Sequence, residues 1–396
     1  MSGCNASMAG VCMRARYESK FAFFAFLAVS VLTASIVQAQ DSRPAKHARA
    51  DGPVANKLGW MMNENTVGII SGNPNGSYLR LAYDLSAVLD NGDEFRVLPI
   101  IGAGGGQNIK DVRYLKGVDL GITQSVLLNR YQRTNEIGPI DDKIVYISKL
   151  NNEEMHLIVR ADGSVKSIHD LTGKRVNFSD KGSGTHLSTE EIFRLLGVKV
   201  AKAVNVGQAD GIEMLKRGEI DANILIAGKP TGSTARVKLS DGLKLLPVAF
   251  EKPLQQDFLP AVLTHEDYPD LIQPGEKIDT VAVVCVLIAY NWPKGTDRYN
   301  RVSKFVENFF PKIAEFRKKP RHPKWKEANL AATLPGWKRH EAAEEWLAKN
   351  LQPESASERK QFEEFMGSRK MQAFAPENRE QLFEEFLAWK ESRGQR

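Results

Sequence analysis

Short apolar runs alternate with amphipathic stretches along most of the chain. Residues 66–70 form an apolar, β-branched run, which is followed by glycine, proline and asparagine and then by a helical pattern over residues 77–89. The same order of strand, polar turn and helix returns several times before residue 230. Strands that alternate with helices are typical of a parallel sheet, so the pattern predicts an α/β architecture.

The predicted strands share apolar or β-branched runs, and they cover residues 66–70, 96–101, 119–123, 143–148, 156–159, 174–178, 222–226, 243–248 and 280–290. Further helical patterns cover residues 107–115, 209–217 and 296–316, and another ends at residue 196. The run at 280–290 is the longest apolar one, and its valine content favours a buried central strand. From residue 341 onward the pattern is helical throughout, with pieces at 341–350, 355–365 and 376–389, and it predicts a C-terminal helical extension over 341–396.

The first 39 residues have the pattern of a secretory signal peptide. A basic start that ends at Lys20 precedes an apolar run over residues 21–32, and small residues follow up to Ala39. The apolar run is shorter than the roughly 20 residues that a membrane-spanning helix needs. We therefore predict cleavage after Ala39, with residues 40–63 as a flexible lead-in and export to the periplasm.

The composition is that of an ordinary globular protein, with 26% charged residues and a formal net charge of +6. The basic residues are scattered and not clustered with aromatic ones, which argues against a nucleic-acid surface. Removal of the signal peptide would leave Cys285 as the one cysteine, inside an apolar run. A cysteine in this setting is expected to be a buried small hydrophobic residue and not a reactive thiol.

Catalytic and metal-binding patterns are weak. There is no metal-ligand spacing of cysteine and histidine and no Gly-x-Ser-x-Gly motif, so we expect no metal, no cofactor and no enzymatic activity. His186 is the histidine nearest to a candidate turn, although a capping role is the simpler interpretation. His156 lies in an apolar strand and is predicted to be a satisfied core residue. The pairs Glu153-Glu154 and Glu190-Glu191 are interpreted as solvated charge or as first-turn helix residues.

Three polar, glycine-rich turns each follow a predicted strand and precede a predicted helix, and they cover residues 71–78, 102–108 and 182–185. The start of a helix has backbone N–H groups without partners and the positive end of the helix dipole, and both attract anions. In parallel α/β sheets such turns gather at the carboxyl ends of the strands, where ligands bind. Each turn alone is a weak signal, but three in one chain favour an anion-binding cleft.

Landmarks spread over residues 66–337 resemble those of one family. In chain order they are the turn 71–78, Gly104-Gly105-Gly106-Gln107-Asn108, Gly121-Ile122-Thr123-Gln124-Ser125, Leu157-Ile158-Val159-Arg160, Leu171-Thr172-Gly173-Lys174-Arg175-Val176, Gly182-Ser183-Gly184-Thr185, Gly218-Glu219-Ile220-Asp221-Ala222 and Ala227-Gly228-Lys229-Pro230. In this order they resemble the TAXI-type solute receptors of TRAP transporters, the tripartite ATP-independent periplasmic systems.

The resemblance implies the type II periplasmic-binding-protein fold, in which two α/β lobes close on a ligand about a hinge. We place residues 64–148 and 249–340 in the first lobe and residues 149–248 in the second. The implied function is capture of a small organic acid, such as glutamate, 2-oxoglutarate or a dicarboxylate, and its delivery to the TRAP membrane subunits. We expect a monomer without a nucleic-acid partner.

The ligand carboxylate is expected on the backbone N–H groups of residues 182–185, and the hydroxyls of Ser183 and Thr185 would add hydrogen bonds. Lys229 would favour a second carboxylate on the ligand. The expected ligand-binding residues are Asn75, Ser77, Tyr78, Asn108, Gln124, Ser125, Gly182, Ser183, Gly184, Thr185, Gly228 and Lys229.

Three other functions stay open on the sequence. A receptor of this kind could present its closed form to a membrane sensor, with the helical extension as the contact. An enzyme on the same fold would need a reactive side chain in the cleft, for which Cys285 and His186 are the candidates. The third is a structural protein of the cell envelope, which would bind no small ligand.

Overall fold

The computed structural model describes residues 53–74 and 76–350. The predicted signal peptide and the tail helices predicted at 355–365 and 376–389 lie outside these residues. The described helices are α1 Pro53–Glu64, α2 Tyr78–Leu89, α3 Gly105–Tyr114, α4 Ser125–Thr134, α5 Gly184–Leu196, α6 Gln208–Lys216, α7 Asp297–Phe309, α8 Ile313–Phe316 and α9 Glu341–Asn350. None of these described helices has both the length and the hydropathy that crossing a membrane requires.

The described strands are β1 Thr66–Ile70, β2 Arg96–Ile100, β3 Leu120–Gln124, β4 Ile144–Arg160, β5 Arg175–Asn177, β6 Lys202–Val204, β7 Ala222–Ala227, β8 Leu243–Leu245, β9 Leu259–Thr264 and β10 Lys277–Tyr290. They form one sheet with the order β2-β1-β3-β10-β4-β7-β5-β6, and β8 pairs with β4 while β9 pairs with β10. β1 and β3 are buried on both faces, as parallel strands covered by helices must be.

The sheet has two parallel groups on either side of a central antiparallel pair. β1 pairs in parallel with β2 and β3, and β5 pairs in parallel with β6 and β7. β4 and β10 run antiparallel to each other between these groups. We call β1–β3 with their helices the first half and β5–β7 with their helices the second half. The arrangement is the type II periplasmic-binding-protein fold, so the predicted fold class is confirmed.

β4 is a single strand of 17 residues where the sequence predicted two shorter strands. The residues between the predicted strands are mostly polar, but they include neither glycine nor proline, so no turn signal interrupts the chain. The polar residues are accommodated because β4 passes between the two halves, where side chains from both sides contact it. Both glutamates of the pair Glu153-Glu154 are buried there, which corrects their interpretation as solvated charge.

The helix predicted over residues 296–316 is interrupted. α7 ends at Phe309, a 3₁₀ turn follows over Phe310–Lys312, and α8 resumes the helical path. Pro311 explains the break, because proline has no N–H to donate and its ring clashes with the preceding turn of an α-helix. The predicted amphipathic pattern is otherwise present, since α7 buries Val302, Phe305 and Phe309.

Two segments differ from the predicted organisation. α1 forms in the stretch that we predicted to be a flexible lead-in. Leu263 and Tyr268 pack in one hydrophobic cluster with Ile158, although residues 249–340 were predicted to belong to the first lobe. The chain therefore stays beside the second half at least to Ile278, a member of the same cluster. The division into two lobes stays a prediction. This hydrophobic cluster bears on where the chain returns from the second lobe to the first.

Trp325 fills the centre of a second hydrophobic cluster, behind the first half. Its ring is fully buried against Phe309 and Phe316, with ring centroids 5.9 and 4.6 Å away, and its Nε1 donates to Asp84 Oδ2 at 3.0 Å. Truncation of such a side chain removes apolar contacts and leaves a cavity. Trp325 therefore anchors the segment 323–327 to the first half through both apolar packing and a hydrogen bond.

We expect Trp325→Ala to lower the free energy of unfolding by about 3–5 kcal/mol, because the substitution leaves a large cavity and removes one of the two hydrogen bonds to the buried Asp84 Oδ2. Urea denaturation monitored by circular dichroism measures this change. Trp60→Ala is the matched control, since the side chain of Trp60 is exposed on α1. Its effect should stay within about 0.5 kcal/mol. Equal effects of the two substitutions would contradict the packing described here.

Candidate functional site

The three glycine-rich turns meet at one place between the two halves. Asn73 Nδ2 donates to Asp180 Oδ2 at 2.8 Å, and the backbone N–H of Gln107 donates to the carbonyl of Gly182 at 3.3 Å. A Cβ atom built on Gly105 would lie 2.3 Å from the Cα of Gly184. The turns of the first half therefore touch the turn at residues 182–185 directly.

A small cavity of about 50 Å³ lies where these turns meet. We call it the Glu153 cavity, because the carboxylate of Glu153 forms part of its wall. Six of the twelve predicted ligand-binding residues line it, namely Ser77, Tyr78, Gln124, Ser183, Gly184 and Thr185. The volume is enough for a carboxylate or a similar small group, but not for a whole metabolite.

The turn at residues 182–185 offers backbone donors but few free hydroxyls. Ser183 Oγ accepts from the N–H of His186 and so caps α5. Thr185 Oγ1 donates to the carbonyl of Ile226 at 3.2 Å and accepts from the N–H of the same residue at 3.0 Å. The hydroxyl donor of Thr185 is therefore already used within the protein, whereas Ser183 Oγ acts only as an acceptor there and keeps its O–H donor for a ligand. The N–H groups of Gly184 and Thr185 are in the first turn of α5, where the helix itself supplies no acceptor.

Glu153 is the residue of this cavity that the sequence interpretation missed. Its Oε2 accepts from Tyr78 OH at 2.9 Å and from Gln124 Nε2 at 2.6 Å, and its Oε1 accepts from Ser77 Oγ at 3.3 Å. All three donors are neutral, and the side chain is buried. Burial, only partly offset by these hydrogen bonds, raises the pKa of Glu153 from 4.5 to about 7.

Three other predicted residues, Asn108, Ser125 and Gly182, lie near the Glu153 cavity without lining it. Asn108 Nδ2 donates to the carbonyls of Ser71 at 2.8 Å and Ile122 at 2.7 Å, so this amide fixes α3 to β1 and β3. Ser125 begins α4 and lines neither the Glu153 cavity nor the larger cavity described below. Gly182 stands next to the contact with Gln107, and its N–H donates to His186 Nδ1 at 3.2 Å. Asn75 lies outside the described residues.

Lys229 does not present its ammonium group to the Glu153 cavity. Its Nζ donates to Asp267 Oδ2 at 2.8 Å and to the carbonyl of Val262 at 2.6 Å, while its backbone N–H donates to Glu154 Oε2 at 3.0 Å. The ammonium is therefore neutralised within the protein. The expectation that Lys229 holds a second ligand carboxylate has no support in this geometry.

A larger cavity of about 360 Å³ adjoins the first one. We call it the arginine cavity, because Arg80, Arg236 and Arg321 line it. The predicted residue Gly228 lies in its wall, and Ser77 lines both cavities. The candidate site is thus a compound cleft, with a narrow inner end beside Glu153 and a wide basic part next to it.

Residues 69–348 match the model of the NMT1-like family. The chain belongs to this family. The match spans more than half of the sequence and includes nearly all of the described sheet and both cavities. The assignment supports the broad resemblance to solute-binding proteins, while the TAXI subtype stays a prediction.

Solved structures similar to this NMT1-like chain include a periplasmic transporter, with 16% identity over 71% of this chain and 92% of the other and a TM-score of 0.41. A mutant of ArgBP from T. maritima is 14% identical over 66% of this chain and 94% of the other, with a TM-score of 0.40. The aliphatic sulphonate binding protein SsuA from Escherichia coli is 19% identical over 46% and 56%, with a TM-score of 0.33. Similarity at this level carries no argument about the ligand of this chain.

Three other side chains considered for catalysis or charge in the NMT1-like chain are buried within the protein. His156 is buried, and its Nε2 lies 2.7 Å from Tyr268 OH, as expected for a satisfied core residue. Cys285 is fully buried, and burial raises the pKa of its thiol, so the reactive thiolate is disfavoured. Glu191, interpreted from the sequence as solvated charge or a first-turn residue, is buried and accepts from Arg130 at 3.2 Å and Arg133 at 2.7 Å.

The raised pKa of Glu153 predicts a pH-dependent stability. Between about pH 4.5 and pH 7 the carboxyl is protonated in the folded chain but ionised in the unfolded one, so its contribution to folding decreases as the pH rises. A shift from 4.5 to about 7 corresponds to roughly 3 kcal/mol at most. The quantity to compare is the unfolding free energy of the wild type minus that of Glu153→Gln. We expect this difference to be about 2–3 kcal/mol smaller at pH 8 than at pH 5.

Urea denaturation of both proteins at the two pH values measures this difference. Glu213→Gln is the control, because the side chain of Glu213 is exposed on α6 and forms only a surface ion pair with Lys216. For the control, the difference from the wild type should be the same at pH 5 and pH 8. A difference for Glu153→Gln that is independent of pH would mean that Glu153 is ionised in the folded protein at both values.

Proposed function

We propose that this chain is a periplasmic receptor that captures a small organic acid and delivers it to the membrane subunits of a TRAP transporter. One observation carries the proposal: glycine-rich turns from the two halves of the sheet meet at a single cleft. The turn at residues 71–78 and the turn at 182–185 come from strands at opposite ends of the sheet, yet both line the Glu153 cavity. A ligand in this place would contact both halves at once.

The proposed ligand carboxylate lies on the N–H groups of Gly184 and Thr185. These two donors have no acceptor within α5, and the positive end of the helix dipole lies at the same point. Glu153 on the facing wall is compatible with a carboxylate as long as it keeps its proton, which its pKa of about 7 allows at neutral and slightly acidic pH. A protonated Glu153 is itself a hydrogen-bond donor.

Ligand binding would favour the closed arrangement of the two halves. The contacts of Asn73 with Asp180 and of Gln107 with Gly182 link the halves across the cleft, and ion pairs of Arg130 and Arg133 with Glu191 also join α4 to α5. A ligand that bonds to both sides adds to them, so the closed state becomes more populated in its presence. The membrane subunits would then recognise the closed form.

Delivery to a TRAP system is supported by the sequence resemblance to TAXI-type receptors, whose landmarks lie almost entirely within the family match at residues 69–348. Export is supported by the signal-peptide pattern that ends at Ala39. Uptake of labelled solute, measured in cells that carry TRAP membrane subunits of the same organism, tests the delivery step. Uptake that does not depend on this chain would argue against it.

Calorimetry on the purified chain without residues 1–39 tests the capture step. We expect at least one small acid among glutamate, 2-oxoglutarate and succinate to bind with a 1:1 stoichiometry and to raise the melting temperature, because a ligand that binds only the folded state stabilises it. The released ligand should be chemically unchanged by mass spectrometry. If no acid binds, the proposed ligand class is wrong, and an altered product would indicate an enzyme.

Closure can be tested at Gly105. A Cβ on this residue would lie 2.3 Å from the Cα of Gly184, and two backbone segments cannot make that contact without separating. We expect Gly105→Ala to weaken acid binding about tenfold or more by reducing the fraction of closed molecules. Titration calorimetry measures the affinity, and small-angle scattering measures the opening.

Gly173→Ala is the matched control for this substitution. Gly173 also has a positive φ, of 75°, but a Cβ there would meet nothing within 4 Å. The control therefore introduces backbone strain without blocking the cleft, and it should bind the acid with the affinity of the wild type. Wild-type affinity in Gly105→Ala would show that binding does not require the halves to meet at Gly184.

A further inference from the structure

Three arginine side chains line the arginine cavity, and the contacts proposed above for a single ligand carboxylate do not involve them. Arg80 reaches it from α2 in the first half, Arg321 from the segment before Pro323–Glu327, and Arg236 from the loop that follows β7 in the second half. None of the described residues that line this cavity is aspartate or glutamate. Cationic side chains from both halves thus converge on one space.

The protein neutralises only part of this charge. Asp84 is buried behind the cavity, with Oδ1 3.5 Å from Arg80 Nε and 3.8 Å from Arg321 Nη1. Its Oδ2 is already occupied by the N–H of His322 and by Trp325 Nε1. Among the described residues, the side chain of Arg236 forms neither an ion pair nor a hydrogen bond. Asp84 therefore offsets part of the charge of Arg80 and Arg321, and Arg236 has no carboxylate partner among the described residues.

Two buried hydroxyl groups complete the wall next to Arg236. Thr231 and Ser233 line the cavity with side chains that are nearly inaccessible to solvent, and their oxygens lie 3.5 Å apart. Hydroxyls beside guanidinium groups are suited to a carboxylate or another oxyanion, since both supply hydrogen-bond donors. His322, also in the wall, adds no charge near neutral pH because burial lowers its pKa to about 4.

The size and position of the cavity match the remainder of a ligand whose acid group lies beside Glu153. About 360 Å³ is within the range of small-molecule sites, whereas the 50 Å³ of the inner cavity holds only an end group. Both cavities are lined by Gly76 and Ser77, so they adjoin at this point.

We propose that the arginine cavity binds a second anionic group, so that the solute of this receptor is doubly anionic. The inference rests on the proposed function for the first carboxylate and extends it by naming the substrate class. Arg236 supplies the charge from the second half, Arg80 from the first, and Arg321 from the segment before Pro323–Glu327. A second anionic group thereby links the two halves and adds to closure, a role that Lys229 does not fill.

Arg236→Ala provides the sharpest test, because its side chain is exposed and makes no contact that folding requires. Lys238→Ala is the matched control, since Lys238 lies two residues along the chain, is exposed and stands 3.9 Å from Asp270, outside the cavity. Titration calorimetry with succinate, 2-oxoglutarate, butyrate and inorganic phosphate is carried out on the wild type and both variants. The matched pair of succinate and butyrate differs by one carboxylate.

We expect the wild type to bind succinate or 2-oxoglutarate more tightly than butyrate, and Arg236→Ala to bind the diacid about ten to a hundredfold more weakly, as for loss of a charge-assisted hydrogen bond. Lys238→Ala should retain wild-type affinity. Phosphate should compete with the diacid in the wild type and more weakly in Arg236→Ala. Equal loss in both variants would indicate a general effect of net charge and overturn the assignment.

Failure of this inference can be told apart from failure of the proposed function. If butyrate binds as tightly as succinate and Arg236→Ala changes neither affinity, the acid-binding function stands but the second anionic group is excluded. If none of the organic acids binds to the wild type, the proposed function fails. In that case, phosphate binding that depends on Arg236 would still support an anion site in the arginine cavity. If phosphate does not bind either, the anion site is overturned as well.

Discussion

Two strands shared by both halves of the sheet determine where the site can form. β4 and β10 pair with each other over most of their length, and each also borders one of the parallel groups. The parallel strands of the two groups therefore end toward a common line across the middle of the sheet. The turns after β1, β2 and β5 meet there, and the helix starts that follow them face one cleft. The cleft is a consequence of this topology more than of any single side chain.

The same topology carries charged residues into the interior. β4 crosses the cleft with Glu153 and Glu154 side by side, and the two are stabilised in different ways. Glu154 forms a buried ion pair with Lys324, and Lys324 also contacts Glu327 at 2.6 Å. Glu153 has no cation among its hydrogen-bond partners in the described chain and relies on neutral donors. A buried carboxylate in that setting keeps its proton to higher pH, which makes Glu153 a group that can donate or accept.

Local chemistry predicted part of the site, and long-range contacts determined the rest. The turns at residues 71–78 and 182–185 were found because glycine, serine and threonine before a helical pattern indicate a helix start without knowledge of the fold. Glu153 was missed because its donors Ser77, Tyr78 and Gln124 are between 29 and 76 residues away in the sequence. Nothing in its immediate neighbourhood distinguishes it from a solvated pair of glutamates.

The arginine cavity was hidden for the same reason, since residues 80, 236 and 321 become neighbours only when the chain has folded. Lys229 illustrates the converse error. A lysine next to a predicted ligand-binding glycine suggested an anion contact, but Asp267, 38 residues further along the chain, neutralises it. A sequence identifies charged residues but not which of them are paired, and only unpaired charge is available to a ligand.

The two cavities together impose a direction on any ligand that fills them. At the inner end, Gly184 and Thr185 line the same cavity as Glu153, and the Glu153 pKa of about 7 makes the charge of this carboxyl sensitive to pH near neutrality. At the outer end, guanidinium groups stay charged at every physiological pH and favour a fully ionised group. The inner end is consequently sensitive to pH, and the outer end is sensitive to salt. A receptor built in this way would hold its ligand most tightly in slightly acidic, dilute surroundings.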